Sequence, residues 1–260
     1  MNLHVDIFGQ GQPLVLLHGW GMNGGIWHEV AHALAEQFTV YCVDLPGHGG
    51  SDFTDLSANE NSLDALVATL AARFPKPISV CGWSLGGQIA LQWAATFPQQ
   101  INKLILVAST PCFTTRNDWH YAMAAETLQQ FSEELENNPS ATLRRFLSLQ
   151  VRGTDNEREL LQRLRANLAT QNEPSLAALR AGLAILRDAD LRSTLAEIQQ
   201  QTLVIAGERD KLTPPSASIF MSENLPSAKL VLIETAAHAP FLSHQGQVVE
   251  QLSAFLKMDA

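Results

Sequence analysis

Six short apolar runs recur along this chain: PLVLLHG (13–19), FTVYCVD (38–44), PISVCGW (77–83), NKLILVAS (102–109), QTLVIAG (201–207) and AKLVLIET (228–235). They are rich in β-branched residues and bounded by glycine, proline and aspartate, as strands buried in a parallel sheet should be. LHVDIF (3–8) adds an antiparallel edge strand. Helix-length segments, such as 61–74 and 85–97, separate most of the runs. Strands alternating with helices in this way specify an α/β fold, a mostly parallel sheet with helices on both faces. The alternation fails once. Between Pro111 and Asp188 only helical periodicity remains, as in Met123, Thr127, Phe131 and Leu135 and then in Leu160, Leu161, Leu164 and Leu168, punctuated by Pro139 and Pro174. The expected organisation is therefore a core of residues 1–110 and 189–260, with residues 111–188 inserted as a helical lid over the strand ends.

At 260 residues the chain is long enough for a full core. No apolar run reaches the roughly 18–20 residues that span a bilayer, and the N-terminus lacks the basic-then-apolar order of a secretory signal. Cys42, Cys81 and Cys112 cannot all pair and lack metal-site spacing, so a reducing cytoplasm is expected, with the thiols acting as small buried hydrophobes. A formal charge of −9 argues against general nucleic-acid binding. No metal and no cofactor are expected, and the chain is expected to act as a monomer.

The chemistry centres on VCGWSLGGQIALQWA (80–94), where Gly82-Trp83-Ser84-Leu85-Gly86 joins a strand to a helix. A G-x-S-x-G pentapeptide in that context makes a turn so sharp that its flanking residues must be small, and the serine stands above the strand end. Out of that context Ser84 would be an ordinary helix cap. A serine hydroxyl needs a general base near neutral pH. Among eight histidines, His238 in ETAAHAPF lies just beyond the last strand; His244 falls at the start of the final helix, and His48 sits in the glycine-rich turn DLPGHGGS. The orienting carboxylate is expected at Asp210 in VIAGERDKLTPP, with Glu208 as the alternative. The order Ser84, Asp210, His238 belongs to this architecture. The oxyanion hole would draw one N–H from Leu85 and the other from Trp20, in the loop LLHGWGMN (16–23).

These motifs, with DLPGHGGS after the second core strand, resemble the α/β-hydrolase family over essentially the whole chain. The resemblance implies acyl transfer to water rather than epoxide or haloalkane chemistry, which use an aspartate nucleophile. LLHGWGMN, GWSLGG, ASTPCFTTRNDW, RFLSLQ and AAHAPFLSH are further similar to a group of esterases within it that act on a carrier-bound acyl chain. That narrower resemblance implies removal of the methyl group from a pimeloyl methyl ester held on an acidic acyl-carrier protein, in biotin synthesis. It implies a substrate site of Trp20, Ser84, Leu85, His238 and the run Phe146, Leu147, Ser148, Leu149 and Gln150.

The carrier would also explain LRRFLSLQVRGTDNERELLQRLR (143–165), which holds six of the twelve arginines against three acids. The expected docking residues are Arg145 and Arg158, followed by Arg144, Arg152 and Arg163. Charge pattern alone favours a solvated helix face, with Glu159 paired to Arg163 and Asp155 reaching Arg158. Near Ala141 and Gln162 the chain departs from that group, where further arginines are expected. A broad short-chain carboxylesterase acting on small esters, a C–C bond hydrolase with the same triad, and a non-enzymatic ligand receptor are the competing functions.

Overall fold

The computed structural model describes residues 2–53 and 62–258. Among these, seven strands form one sheet: β1 (Val5–Phe8), β2 (Gln12–Leu17), β3 (Phe38–Val43), β4 (Ile78–Trp83), β5 (Ile101–Val107), β6 (Gln201–Gly207) and β7 (Ala228–Ile233). Their order is β1-β3-β2-β4-β5-β6-β7, and only β1 runs antiparallel, pairing Val5 with Val43 and Phe8 with Val40. Every expected strand is present within a few residues of its expected ends. The chain moves outward from β2 to β3, then returns past β2 to β4, so the direction of winding reverses between β2 and β4. Ligands of open α/β sheets bind at such a reversal, beyond the carboxyl ends of the strands.

The period of two in each strand divides the core into two faces. Val15, Leu17, Val80, Leu104 and Leu106 pack with α2 (Ser62–Arg73) and α3 (Leu85–Thr96), through Leu66, Val67, Leu70 and Ile89. On the other face, Leu14, Leu16, Cys81, Ile105 and Leu203 meet α1 (His28–Leu34) and α10 (Gln245–Lys257), through Val30, Leu34, Val248 and Leu252. The expected helix over 61–74 begins, within the described residues, at Ser62; position 61 lies outside them. Lys103, on β5, is buried and donates its Nζ to the carbonyls of Phe255 (2.9 Å), Leu256 (3.2 Å) and Met258, capping the otherwise unsatisfied end of α10.

Between β5 and β6 lie α4 (Ala125–Asn137), α5 (Pro139–Val151), α6 (Glu157–Ala169) and α7 (Leu176–Asp188). Pro139 opens α5 at its first turn, where a missing N–H costs nothing, and the Asn138 side chain caps it at Ala141 N. Ser175, directly after Pro174, caps α7 in the same way at Ala178 N. The helical periodicity from Met123 begins two residues early: Met123 is bridged to Thr114, and the helix starts at Ala125. α4 packs on α5 and α7, α5 on α6, and α7 on α2 and α3 of the core. The remaining helices are α8 (Pro215–Asn224) and the short α9 (Pro240–Ser243). Among the described residues no helix is long and apolar enough to cross a membrane. All three cysteines are free and buried, and burial raises each thiol pKa, which keeps them unreactive.

Candidate active site

Ser84 is the hinge between β4 and α3, and its backbone takes φ 55 and ψ −117, a conformation L-residues rarely adopt. Three contacts hold it there. Its N–H donates to Val107 O at 3.0 Å, Gly87 N donates to its carbonyl at 2.9 Å, and Ser109 Oγ donates to the same carbonyl at 2.8 Å. The glycines of the pentapeptide are demanded by space. A β-carbon on Gly82 would lie 2.1 Å from Gly86 O, and one on Gly86 would lie 2.5 Å from Leu17 O. The turn therefore presses the start of α3 onto the end of β2.

The loops beyond β6 and β7 bring in the other two groups. Asp210 is buried and accepts four hydrogen bonds: Leu212 N (2.8 Å) and Thr213 N (3.0 Å) on Oδ1, Thr213 Oγ1 (2.7 Å) and His238 Nδ1 (2.8 Å) on Oδ2. Donors to both oxygens fix the carboxylate plane, and its bond to Nδ1 puts the imidazole proton there. Nε2 is left as the acceptor, and it is buried with no hydrogen-bond partner. Trp83, next to the serine, ties the backbone of His238 to the strand that leads into Ser84. Its Nε1 donates to His238 O at 2.7 Å, and the two rings stand 5.7 Å apart. No hydrogen bond joins Nε2 to Ser84 Oγ; such pairs commonly tighten only when substrate enters.

The alternatives go elsewhere. Glu208 is exposed. His244 contacts Thr235 Oγ1 (3.2 Å) and Ser243 Oγ (2.9 Å) at the entrance to α10. His48 faces His18, with ring centroids 5.0 Å apart. Both are buried and neutral. His18 Nδ1 donates to Gly19 O (2.8 Å) and its Nε2 accepts from Leu45 N (3.0 Å), while His48 Nδ1 donates to Pro46 O (3.0 Å). Burial lowers His18 from 6.5 to about 4. Burial, and then repulsion from His18, lowers His48 to about 3.

Trp20 and Leu85 flank the serine. Gly19 approaches so closely that a β-carbon there would be 3.3 Å from Ser84 Cβ. Leu85 is the first residue of α3, where N–H groups have no partner within the helix. Trp20 donates its indole N–H to Leu179 O of α7 at 2.9 Å and receives Phe146 edge-on, at 4.7 Å between centroids. Phe131 stands 6.1 Å beyond Phe146, and the Arg145 guanidinium lies 4.8 Å over Phe131. A line of edge-on ring contacts thus runs from Arg145 at the surface of α5 to Trp20. The rest of the 146–150 run divides. Leu149 packs partly with Phe146, Leu147 is buried in the opposite cluster with Trp27 and Leu160, and Ser148 donates to Arg144 O (3.1 Å). Gln150 is buried, and its Oε1 has no partner. A cavity of about 920 Å³ beneath α7 reaches Leu85, Gly182, Ile185, Leu45 and His48 but is lined by neither Ser84 nor His238.

The basic segment is not uniform. Arg163 donates to Glu29 (2.7 Å) and Leu242 O (2.9 Å), a strap to the core rather than the expected partner of Glu159. Asp155 pairs with Arg209 (2.8 Å), not with Arg158, because the turn before α6 faces the loop beyond β6. Arg145 pairs with Glu134 (2.5 Å) and Arg144 with Ser140 Oγ (2.8 Å). Arg152, Arg158 and Arg165 are exposed and have no ionic partner among the described residues. Sequence reasoning missed Thr213, Ser109 and the Trp83–His238 bond. Only the backbone bonds onto Asp210 carried a signal, since an aspartate in a loop commonly accepts from N–H groups a few residues on.

Residues 12–245 match a family model described as the alpha/beta hydrolase fold. A pimeloyl-[acyl-carrier protein] methyl ester esterase of Nitrosomonas europaea is 43% identical over 97% of this chain and 99% of its own. One of the same name from Aeromonas hydrophila is 41% identical over 98% of this chain and all of its own. Among solved structures, an esterase from Exiguobacterium antarcticum superposes with a TM-score of 0.89 at 25% identity, over 98% of this chain and 96% of that one.

Proposed function

This chain belongs to the α/β-hydrolase family, and we propose that it is a serine carboxylesterase that hydrolyses the methyl ester of pimeloyl-[acyl-carrier protein] in biotin synthesis. The observation that carries the chemistry is the buried Asp210–His238 pair, with Nε2 unpartnered and the His238 carbonyl bonded by Trp83 of the strand that leads into Ser84. The substrate assignment rests on full-length relatives of that name.

Ser84 Oγ attacks the ester carbonyl while His238 Nε2 takes its proton, and Asp210 stabilises the imidazolium. The carbonyl oxygen, now negative, receives the N–H groups of Trp20 and Leu85. Collapse breaks the C–O bond to methoxide, which leaves as methanol with the proton from Nε2. Water, deprotonated by His238, then attacks the acyl-enzyme, and Ser84 departs with that proton. The products are methanol and a free carboxylate on the still-thioesterified chain.

Helices α4–α7 act as the lid, and the acyl chain enters along Phe146 and Trp20. The carrier docks outside, on two of the guanidinium groups without an ionic partner among the described residues, Arg152 and Arg158, with Arg144 and Arg145 in the preceding helix. Docking keeps the carrier thioester away from Ser84, so placement selects the distal ester. The enzyme and its acidic partner would meet in the cytoplasm.

The test offers pimeloyl-carrier methyl ester and a simple methyl ester together in one assay. The carrier-linked ester should be consumed first, and Ser84→Ala should abolish turnover of both while retaining the native circular dichroism spectrum. Equal consumption would point to a general short-chain esterase, and turnover surviving in Ser84→Ala would remove the serine mechanism.

A further inference from the structure

We infer that Gly182, in the interior of α7, is a positioning residue for the oxyanion hole, an inference that rests on the esterase reading above. A β-carbon at Gly182 would lie 2.6 Å from Trp20 Cδ1, 3.1 Å from Trp20 Nε1 and 3.3 Å from Leu85 Cδ2. One atom would therefore collide with the Trp20 indole and press on the Leu85 side chain, the two residues assigned to the oxyanion hole. Glycine is disfavoured inside a helix relative to alanine. The backbone does not require it here, because Gly182 lies within α7 and its φ is not positive. What the position requires is space.

The space belongs to Trp20, whose indole cannot easily retreat. It is 1% exposed, bonded to Leu179 O on the same helix, and closed on another side by the Phe146 ring. A methyl group at 182 would thus push the indole, and with it the loop 18–23 that carries the Trp20 N–H past Ser84. Backbone donors stabilise an oxyanion only when they are correctly aimed at the position the oxygen will occupy. α7 therefore sets the geometry of the catalytic loop from within the lid: its Leu179 carbonyl anchors the indole and its missing β-carbon seats it.

The experiment compares native enzyme with Gly182→Ala, Trp20→Phe and the double variant. Turnover of a small methyl ester is measured with the affinities of two probes. An alkyl boronic acid places an oxygen in the hole when it bonds to Ser84, whereas a free carboxylate of the same length reads only the pocket. Gly182→Ala should lower kcat and boronate affinity roughly 10–100-fold, and change KM and carboxylate affinity by a factor at least about fivefold smaller, whatever the shift in melting temperature. Trp20→Phe removes the indole atoms that the new methyl group would strike. In that background, Gly182→Ala should cost less than about threefold. A kcat within about twofold of native for Gly182→Ala, or an undiminished loss in the Trp20→Phe background, overturns the inference. Should Gly182→Ala fail to fold, Trp20→Phe decides: boronate affinity should fall at least about fivefold more than carboxylate affinity, and equal losses, or none, refute α7 control. A native enzyme that neither turns over esters nor binds boronate would instead overturn the esterase reading, and this inference with it.

Discussion

His18 and His48 are imidazoles placed where no proton can reach them cheaply. His18 is a strut: one nitrogen holds Gly19 O beside Ser84 and the other holds the loop after β3. Above pH 6.5 both histidines are neutral in the folded and unfolded chains alike. Between 6.5 and about 4 for His18, or about 3 for His48, the unfolded chain binds protons that the folded chain refuses. Stability should therefore fall as pH falls through that window, by roughly 2 kcal/mol for each imidazole at pH 5. Urea midpoints at pH 7 and pH 5 measure the slope, which should be shallower in His48→Gln. A midpoint independent of pH across this range would contradict the buried neutral assignment.

At the scale of elements, the strand–turn–helix unit of β4, Ser84 and α3 carries the tightest steric demand in the site. Gly82→Ala would drive a methyl group into the Gly86 carbonyl and should destabilise by about 2–3 kcal/mol, seen as a lower urea midpoint at constant m-value. Such local demands were legible in the sequence. The pentapeptide between a strand and a helix located Ser84, and the offsets from two strand ends pointed to Asp210 and His238. Contacts between distant residues were not legible. Trp83 meets His238 across 155 positions, and Arg163 meets Glu29 across 134. Nothing in the spacing of α6 could show that Arg163 would leave Glu159 for another element. The strands were recognisable because each is a continuous apolar run, while the start of α4 was misjudged because a bridge to Thr114 claims Met123.

Across the whole molecule, a net charge of −9 should repel an acidic carrier everywhere except at the guanidinium groups of α5, α6 and the turn between them. Replacing Arg152 and Arg158 by glutamate should raise KM for the carrier-linked ester about tenfold and leave a small ester unchanged. The difference should shrink in 1 M salt, where the Debye length falls from ~10 Å at 0.1 M to ~3 Å. Equal effects on both substrates would place the docking surface elsewhere. Lys103 has a consequence of a different kind, in the order of synthesis. The carbonyls that satisfy its ammonium group on β5 arrive 152 to 155 residues later. At roughly 5–20 residues per second, a ribosome exposes this strand some 8–30 s before its cap exists. For that interval the nascent sheet lacks α10, and its apolar face is open to chaperones. Ser84 emerges early, but His238 and the helix that seals the layer come almost last, so the proposed site can be assembled only near the end of translation.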